Sequence, residues 1–201
     1  MAVINEKEQR IMDAAEKLFV RYGPKKTSID EIAHAAGLGK GTIYLYFRSK
    51  DELYAAIVRK FGQGMVEAMA LASEGAADAA SKLRLLIQAR LSFVRDYFEE
   101  WKVTPEVVRE FDENANGAIV GPIIQEFSEI QVAMLQRAID LGIEQGIFMP
   151  ADSRITAFAI YASLHTCGKP WPCEGVEIQV EAKVAAFVNL FLYGLCQRPS
   201  N

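Results

Sequence analysis

Apolar residues recur at helical spacing along almost the whole chain, and strand signals are nearly absent. That pattern constrains the fold class to all-α. In the first helix Ile11, Ala14, Ala15, Leu18, Phe19 and Tyr22 fall on one stripe. Asn5, with Glu8 three residues on, can cap its start. Gly23-Pro24 ends it, a glycine past the last turn and then a residue that cannot continue the helix.

Two further capping boxes follow, Ser28 with Glu31 and Ser49 with Glu52. They predict a second helix to about Ala36, a third over roughly Lys40 to Phe47, and a fourth from near Lys50 into the low seventies. Residues 73–78 read as a loop. Helices are expected at about 79–100 and 105–115, with a break at Asn114–Gly117. Pro122 sits where a helix starts well and opens a long one to about Gln145. After a loop at Gly146–Ala151, a helix at about 152–167 is followed by the non-helical segment 168–175 and a last helix at about 176–197. The expectation is about nine helices, without repeats or low-complexity tracts.

The segment 27–54 is the most informative. Ile29, Ile32, Ala33 and Ala36 let the second helix pack closely on its neighbours. Gly37 stands at the turn, where a positive φ favours glycine. Leu38 and Ile43 are expected to point into a small core, leaving Lys40, Gly41, Thr42, Tyr44 and Tyr46 outward or at the ends of the third helix. A cation, short polar groups and phenols suit phosphates and thymine methyls. Lys50 is expected beside backbone N–H groups, as part of a phosphate seat. This is the outline of a helix-turn-helix. A capped helix, a glycine turn and another helix also occur in folds that never touch DNA, so spacing alone leaves both readings open.

Composition sharpens the choice. The 201-residue chain is 51% hydrophobic, enough for a real core and against disorder. Its net charge of −4 argues against a nucleic-acid binder only until it is divided. Residues 1–60 carry 11 Lys/Arg against 8 Asp/Glu and are net +3; residues 61–201 carry 11 against 18 and are net −7. No apolar run suggests a membrane span, and the acidic N-terminus does not suit a signal peptide. Cys167, Cys173 and Cys196 are odd in number and lack paired metal spacing, which fits a reducing cytoplasm. No metal or other cofactor is implied.

Residues 10–56 resemble the N-terminal domain of the tetracycline-repressor (TetR) family. The resemblance rests on Ile11-Met12-Asp13-Ala14-Ala15 with Leu18-Phe19, Gly23, Thr27-Ser28-Ile29, Ile32-Ala33, Ala36-Gly37, Lys40-Gly41-Thr42-Ile43-Tyr44, Tyr46-Phe47, and Lys50 with Leu53. It covers about a quarter of the chain. It implies a helix-turn-helix DNA-binding domain at 1–50 and helix 4 as connector. Residues 51–201 would then be a C-terminal ligand-binding and dimerisation domain. It also implies a homodimer on double-stranded DNA with a palindromic operator, and a small-molecule effector. By position it makes Thr27, Ser28, Gly39, Lys40, Gly41, Thr42, Tyr44, Tyr46 and Lys50 the DNA-binding set. Tyr44 and Thr42 would lie near base edges, and Tyr46, Lys50 and Thr27 on phosphates. Two departures stand out: Gly39 replaces a common serine, and Leu45 stands where some members carry a polar or basic residue, so no specific base contact is expected there.

Two surfaces occupy the rest of the chain. Val180, Val184, Phe187, Val188, Phe191 and Leu195 form one helical stripe; Ile155, Phe158, Ala159 and Ala162 form another. Both could be ordinary core, or could pair with their copies in a dimer interface. Phe93, Tyr97, Phe98, Trp101, Phe111 and Phe127 cluster in the middle helices, with Phe61, Met65 and Met69 as a candidate cavity roof and His165 as a wall. An apolar pocket would favour a hydrophobic or aromatic effector; aromatics at helical spacing are equally the signature of plain core. Glu110, Asp112 and Glu113 read as a solvated face, and His34 as a surface residue.

An enzyme lacks support, because two histidines about 130 residues apart offer no catalytic set. A regulator answering to a protein partner, or to a Cys167–Cys173 thiol switch, is the alternative.

Overall fold

The computed structural model describes residues 6–115, 117–167 and 180–195. Among them are nine helices and no strand: α1 (Glu6–Tyr22), α2 (Ile29–Ala36), α3 (Lys40–Tyr46), α4 (Lys50–Ser73), α5 (Ala79–Trp101), α6 (Pro105–Asn114), α7 (Val120–Glu144), α8 (Ser153–Cys167) and α9 (Val180–Leu195). The all-α expectation holds. Asn5, Cys173, Cys196 and the segment 168–175 lie outside the described residues.

α7 begins at Val120, two residues ahead of Pro122. A proline anywhere in the first turn is tolerated, because those N–H groups have no acceptor within the helix. Ahead of α6, Thr104 caps the first turn while Pro105 opens it. The Asp152 carboxylate accepts the Ile155 N–H at 2.9 Å and starts α8.

The chain divides into two compact units. One combines residues up to Gly62 with Phe98–Glu126, the other Gln63–Tyr97 with residues from Phe127 on. This division follows packing, and differs in kind from the split at residue 50 that the resemblance implies.

In the first unit α1 packs on α2 and α6, and α2 on α3. Ile11, Ala15, Phe19, Ile32, Ile43 and Leu53 are buried. Each large side chain removed from water contributes roughly 1.5–3 kcal/mol. Phe19 meets Tyr54 edge-on at 5.7 Å, and Tyr54 stacks on Phe111 at 6.0 Å. Burial pushes the Tyr54 phenol well above its usual pKa, and the charges of Glu110 and Asp112 add to this.

In the second unit Met69, Leu83, Leu86, Ile87, Leu135, Ile139, Phe148, Ile160, Leu164 and Val188 are buried. After α7 the chain turns back, with the Ile147 and Phe148 N–H groups both donating to Gly142 O at 2.8 and 2.9 Å. The Phe148 ring then rests on Gly142, so close that a Cβ there would stand 2.1 Å from it.

Candidate nucleic-acid interface

The interface is built on three short connections. The first is the turn between α1 and α2. Thr27 is buried, and its hydroxyl donates to Gly23 O at 2.9 Å. Lys50 Nζ donates to Pro24 O at 2.7 Å and Thr27 O at 2.9 Å. Here the structure departs from the sequence expectation: the Lys50 ammonium faces two carbonyls. Being a pure donor, it ties the start of α4 to this turn. Similarly, the Thr27 hydroxyl is committed internally.

α6 grips the same turn. Glu110 accepts the Lys25 N–H, and the Lys25 ammonium donates to Glu113 at 2.7 Å. That hydrogen bond holds the Glu113 carboxyl below its usual range and raises Lys25. Glu110 and Glu113 are thus parts of a contact and not only a solvated face. Local pattern could not show it, because the partners are 85 and 88 residues apart in sequence.

The second connection starts α2. Ser28 N–H donates to Glu31 Oε2 at 2.8 Å and Glu31 N–H returns to Ser28 Oγ at 3.3 Å, completing the capping box. The hydrogen bond from the Ser28 backbone lowers the Glu31 pKa. The box at Ser49 is looser: Glu52 N–H donates to Ser49 Oγ at 3.1 Å, but the Glu52 carboxylate accepts from Arg48 N–H at 2.6 Å. Its return arm reaches one residue further out.

The third is the turn itself. Gly37 has φ 64° and ψ 38°, the left-handed conformation the spacing predicts. Leu38 N–H donates to Ala33 O at 3.0 Å, and Arg10 of α1 donates to Ala36 O at 2.6 Å. The carbonyl end of α2 is thereby satisfied, which fixes where α3 departs.

α3 starts at Gly39, which offers no side-chain cap. Ile43 is fully buried and fixes its inner face. Gly39, Lys40, Gly41, Tyr44 and Leu45 are exposed; Thr42, Tyr46 and Lys50 are half-buried, and Ser28 is exposed at the start of α2. Lys40 pairs with Asp30 at 2.8 Å, which raises its pKa through that hydrogen bond and its charge. No atom lies within 4 Å of where a Cβ would stand on Gly39 or Gly41, the neighbouring backbone aside. Nothing inside the protein therefore requires Gly41, although glycine is a poorer helix former than alanine.

The residues expected around a cavity fall in both units. Phe61, Trp101 and Phe111 belong to the first, and Phe111 is engaged with Tyr54. Met65, Phe93, Tyr97, Phe127 and His165 belong to the second. Met65 and Phe127 are buried, and Phe93 packs 3.2 Å from where a Cβ would stand on Gly64. His165 is exposed, although expected as a wall. The 3.6-residue period sets it in phase with exposed Phe158 and Ala162, and it stacks on Tyr161 at 6.1 Å. A polar cluster that periodicity cannot reveal lies nearby: buried Arg90 donates from Nε to Gln131 at 2.8 Å and lies over the Tyr161 ring at 5.3 Å. The Tyr161 hydroxyl is hydrogen-bonded to Ser128.

Of the two stripes, Ile155, Phe158 and Ala162 of α8 are exposed as a free surface would be. In α9, Phe187 and Phe191 are half-buried and Val188 and Leu192 buried, whereas Leu190 and Tyr193 are exposed. Of the expected stripe, Val188 turns inward while Phe187 and Phe191 lie at the boundary, because α9 is apolar on more than one side and its phase is ambiguous from sequence. The side chains of Val180, Val184 and Leu195 lie outside the described residues.

Residues 11–57 match the family of bacterial regulatory proteins, tetR family. The chain is 26% identical over 155 residues to the HTH-type transcriptional regulator YhgD of Bacillus subtilis, across 77% of this chain and 78% of that one. Its fold is similar to that of the fatty acid degradation regulator FadR from Bacillus halodurans, with a TM-score of 0.78, 23% identity, and 96% and 98% of the two chains covered. It is also similar to FadR from Bacillus subtilis, solved in complex with stearoyl-CoA, with a TM-score of 0.75, 21% identity, and 93% and 98% covered. The helix-turn-helix geometry and the match over residues 11–57 identify the N-terminal domain as that of the bacterial regulatory proteins of the tetR family.

Proposed function

We propose that the protein is a ligand-responsive repressor that binds a palindromic operator as a homodimer through α3. The observation that carries the reading is Gly41: a glycine in the first turn of α3 with open space around its Cβ position, on the exposed side of the helix. A partner approaching the backbone closely accounts for it, as does the exposed set of Lys40 and Tyr44 beside it. Thr27, Ser28, Gly39, Thr42, Tyr46 and Lys50 complete the binding set, with Thr27 and Lys50 shaping the turn from within. Residues 1–50 form the reading head, α4 connects it, and residues 51–201 sense and dimerise. Two copies of α3 would enter successive major grooves about 34–36 Å apart.

The exposed apolar side chains of α8 and α9 support dimerisation: Ile155 at 68%, Phe158 at 61%, Leu190 at 66% and Tyr193 at 79% exposure. The effector is a hydrophobic or aromatic molecule, a reading supported by the aromatic and methionine content of α4, α5 and α7 and by the acyl-CoA bound to a similar fold. It releases DNA only by as much as its affinity differs between the two states. Occupancy of the operator blocks polymerase.

The test is binding of the purified protein to duplexes enriched from a random library, with Tyr44→Ala as the variant. One base pair's worth of contact is about 1–3 kcal/mol, so a loss in that range is expected. Unchanged affinity would sink the assignment. Light scattering of the free protein and of Phe158→Glu reports the dimer, and a thermal-shift screen of lipophilic compounds reports the effector.

A further inference from the structure

Leu45 is 83% exposed, more than any other large apolar side chain among the described residues. A single exposed leucine needs no explanation on an ordinary surface. This one lies on the seven-residue α3, whose opposite side is anchored by fully buried Ile43. It follows Gly41 by one helical turn, and helical side chains lean toward the N-terminus. Its isobutyl group therefore lies on the same exposed face as Gly41, whose Cβ position is open space, and beside half-exposed Tyr44.

An isobutyl group can neither donate nor accept a hydrogen bond. Among the features that base edges present in the major groove, only the thymine C5-methyl is apolar. We infer that Leu45 is a specificity-determining residue that reads the C5-methyl of a thymine. The inference rests on the DNA-binding reading of α3 above. Cytosine at that position presents only C5–H where thymine presents its methyl, so the apolar contact is lost. A hydrogen-bonding contact at this position needs a polar or basic side chain, whereas a methyl contact needs only an exposed apolar one.

The experiment uses a duplex enriched by the full-length protein, resynthesised with deoxyuridine for every thymine, and then with thymine restored one position at a time. Deoxyuridine keeps every hydrogen-bonding group and removes only the methyl. Burial of one methyl predicts about a fourfold loss per thymine read. Restoring one thymine in each half-site, or placing 5-methylcytosine opposite guanine there, should recover the methyl-dependent part. Leu45→Ala should bind more weakly and be indifferent to uridine at that position. Its melting temperature should match the parent protein, since the side chain is exposed. Equal parent affinity for the thymine and uridine duplexes overturns the inference. So does a uridine penalty of the same size in Leu45→Ala, which would assign the methyl to another residue. Failure to enrich any duplex overturns the DNA-binding reading itself, a result distinct from either.

Discussion

The first unit is held at points that can be named, the second by a broad surface. Around α2 and α3 there are a closed capping box, a left-handed glycine, an arginine on the carbonyl end of α2 and a lysine on two turn carbonyls. Each is a directional bond with one correct geometry. The second unit relies on side chains such as Met69, Leu83, Leu135 and Ile139, buried along long helices. Burial is non-directional, so many residues share the load and none sets an angle alone. A reading head must hold its outward groups in register, whereas an apolar interior can repack.

The largest effect that would test this contrast is in the second unit. Leu135→Ala removes a fully buried side chain and should cost about 2–5 kcal/mol in denaturant unfolding. A cost under about 1 kcal/mol would mean that the apolar interior is not what holds this unit. Gly142→Ala drives a Cβ into the Phe148 ring and should cost about 1–3 kcal/mol as overpacking. If the melting temperature is unchanged, the Phe148 ring has moved aside, and the turn after α7 is softer than drawn here.

In the first unit, Ser28→Ala opens the capping box and should cost about 1 kcal/mol, read by the same unfolding experiment. Gly41→Ala sharpens the comparison because stability and binding should move in opposite directions. It should stabilise the fold by about 0.5–1 kcal/mol and lower duplex affinity. Improved stability with unchanged affinity would remove the argument that DNA needs this glycine.

The smallest effect concerns pH. Glu31, Glu106 and Glu113 of the first unit are held below the usual 4.5 by hydrogen bonds, to Ser28 in the first case and Lys25 in the last. In the second unit Asp78 is likewise lowered from 3.8. A depressed carboxyl stabilises the fold above its unfolded value, and that stabilisation is lost as pH falls through the lower folded value. As pH falls from about 5 to 3, amide protection factors, corrected for the intrinsic exchange rate, should therefore drop more in α2 and α6 than in α7. An equal drop in protection in both units would erase the distinction.

Much of the reading head was legible beforehand. The bounds of α2, its capping box and the conformation of Gly37 follow from bonds spanning three to five residues, so the residue types announce them. Lys50 shows the limit of that legibility. Its position at the start of α4 was readable, but its partners are 23 and 26 residues back, and they make it a brace of the turn, which its place at the helix start did not announce. α9 shows a second limit: an apolar stripe gives a helix a face, yet where several faces are apolar the stripe does not say which one turns inward.

The sequence alone determined where helices begin, end and turn, because capping, left-handed glycines and amphipathic stripes are contacts between near neighbours in the chain. Tertiary structure alone decided what the long polar side chains hold. The Lys25–Glu113 pair spans 88 residues and the Arg90–Gln131 pair 41, and no local pattern encodes a bond across such a gap. It likewise decided that Leu45 stands bare beside Gly41, since exposure belongs to the packed chain and not to the residue.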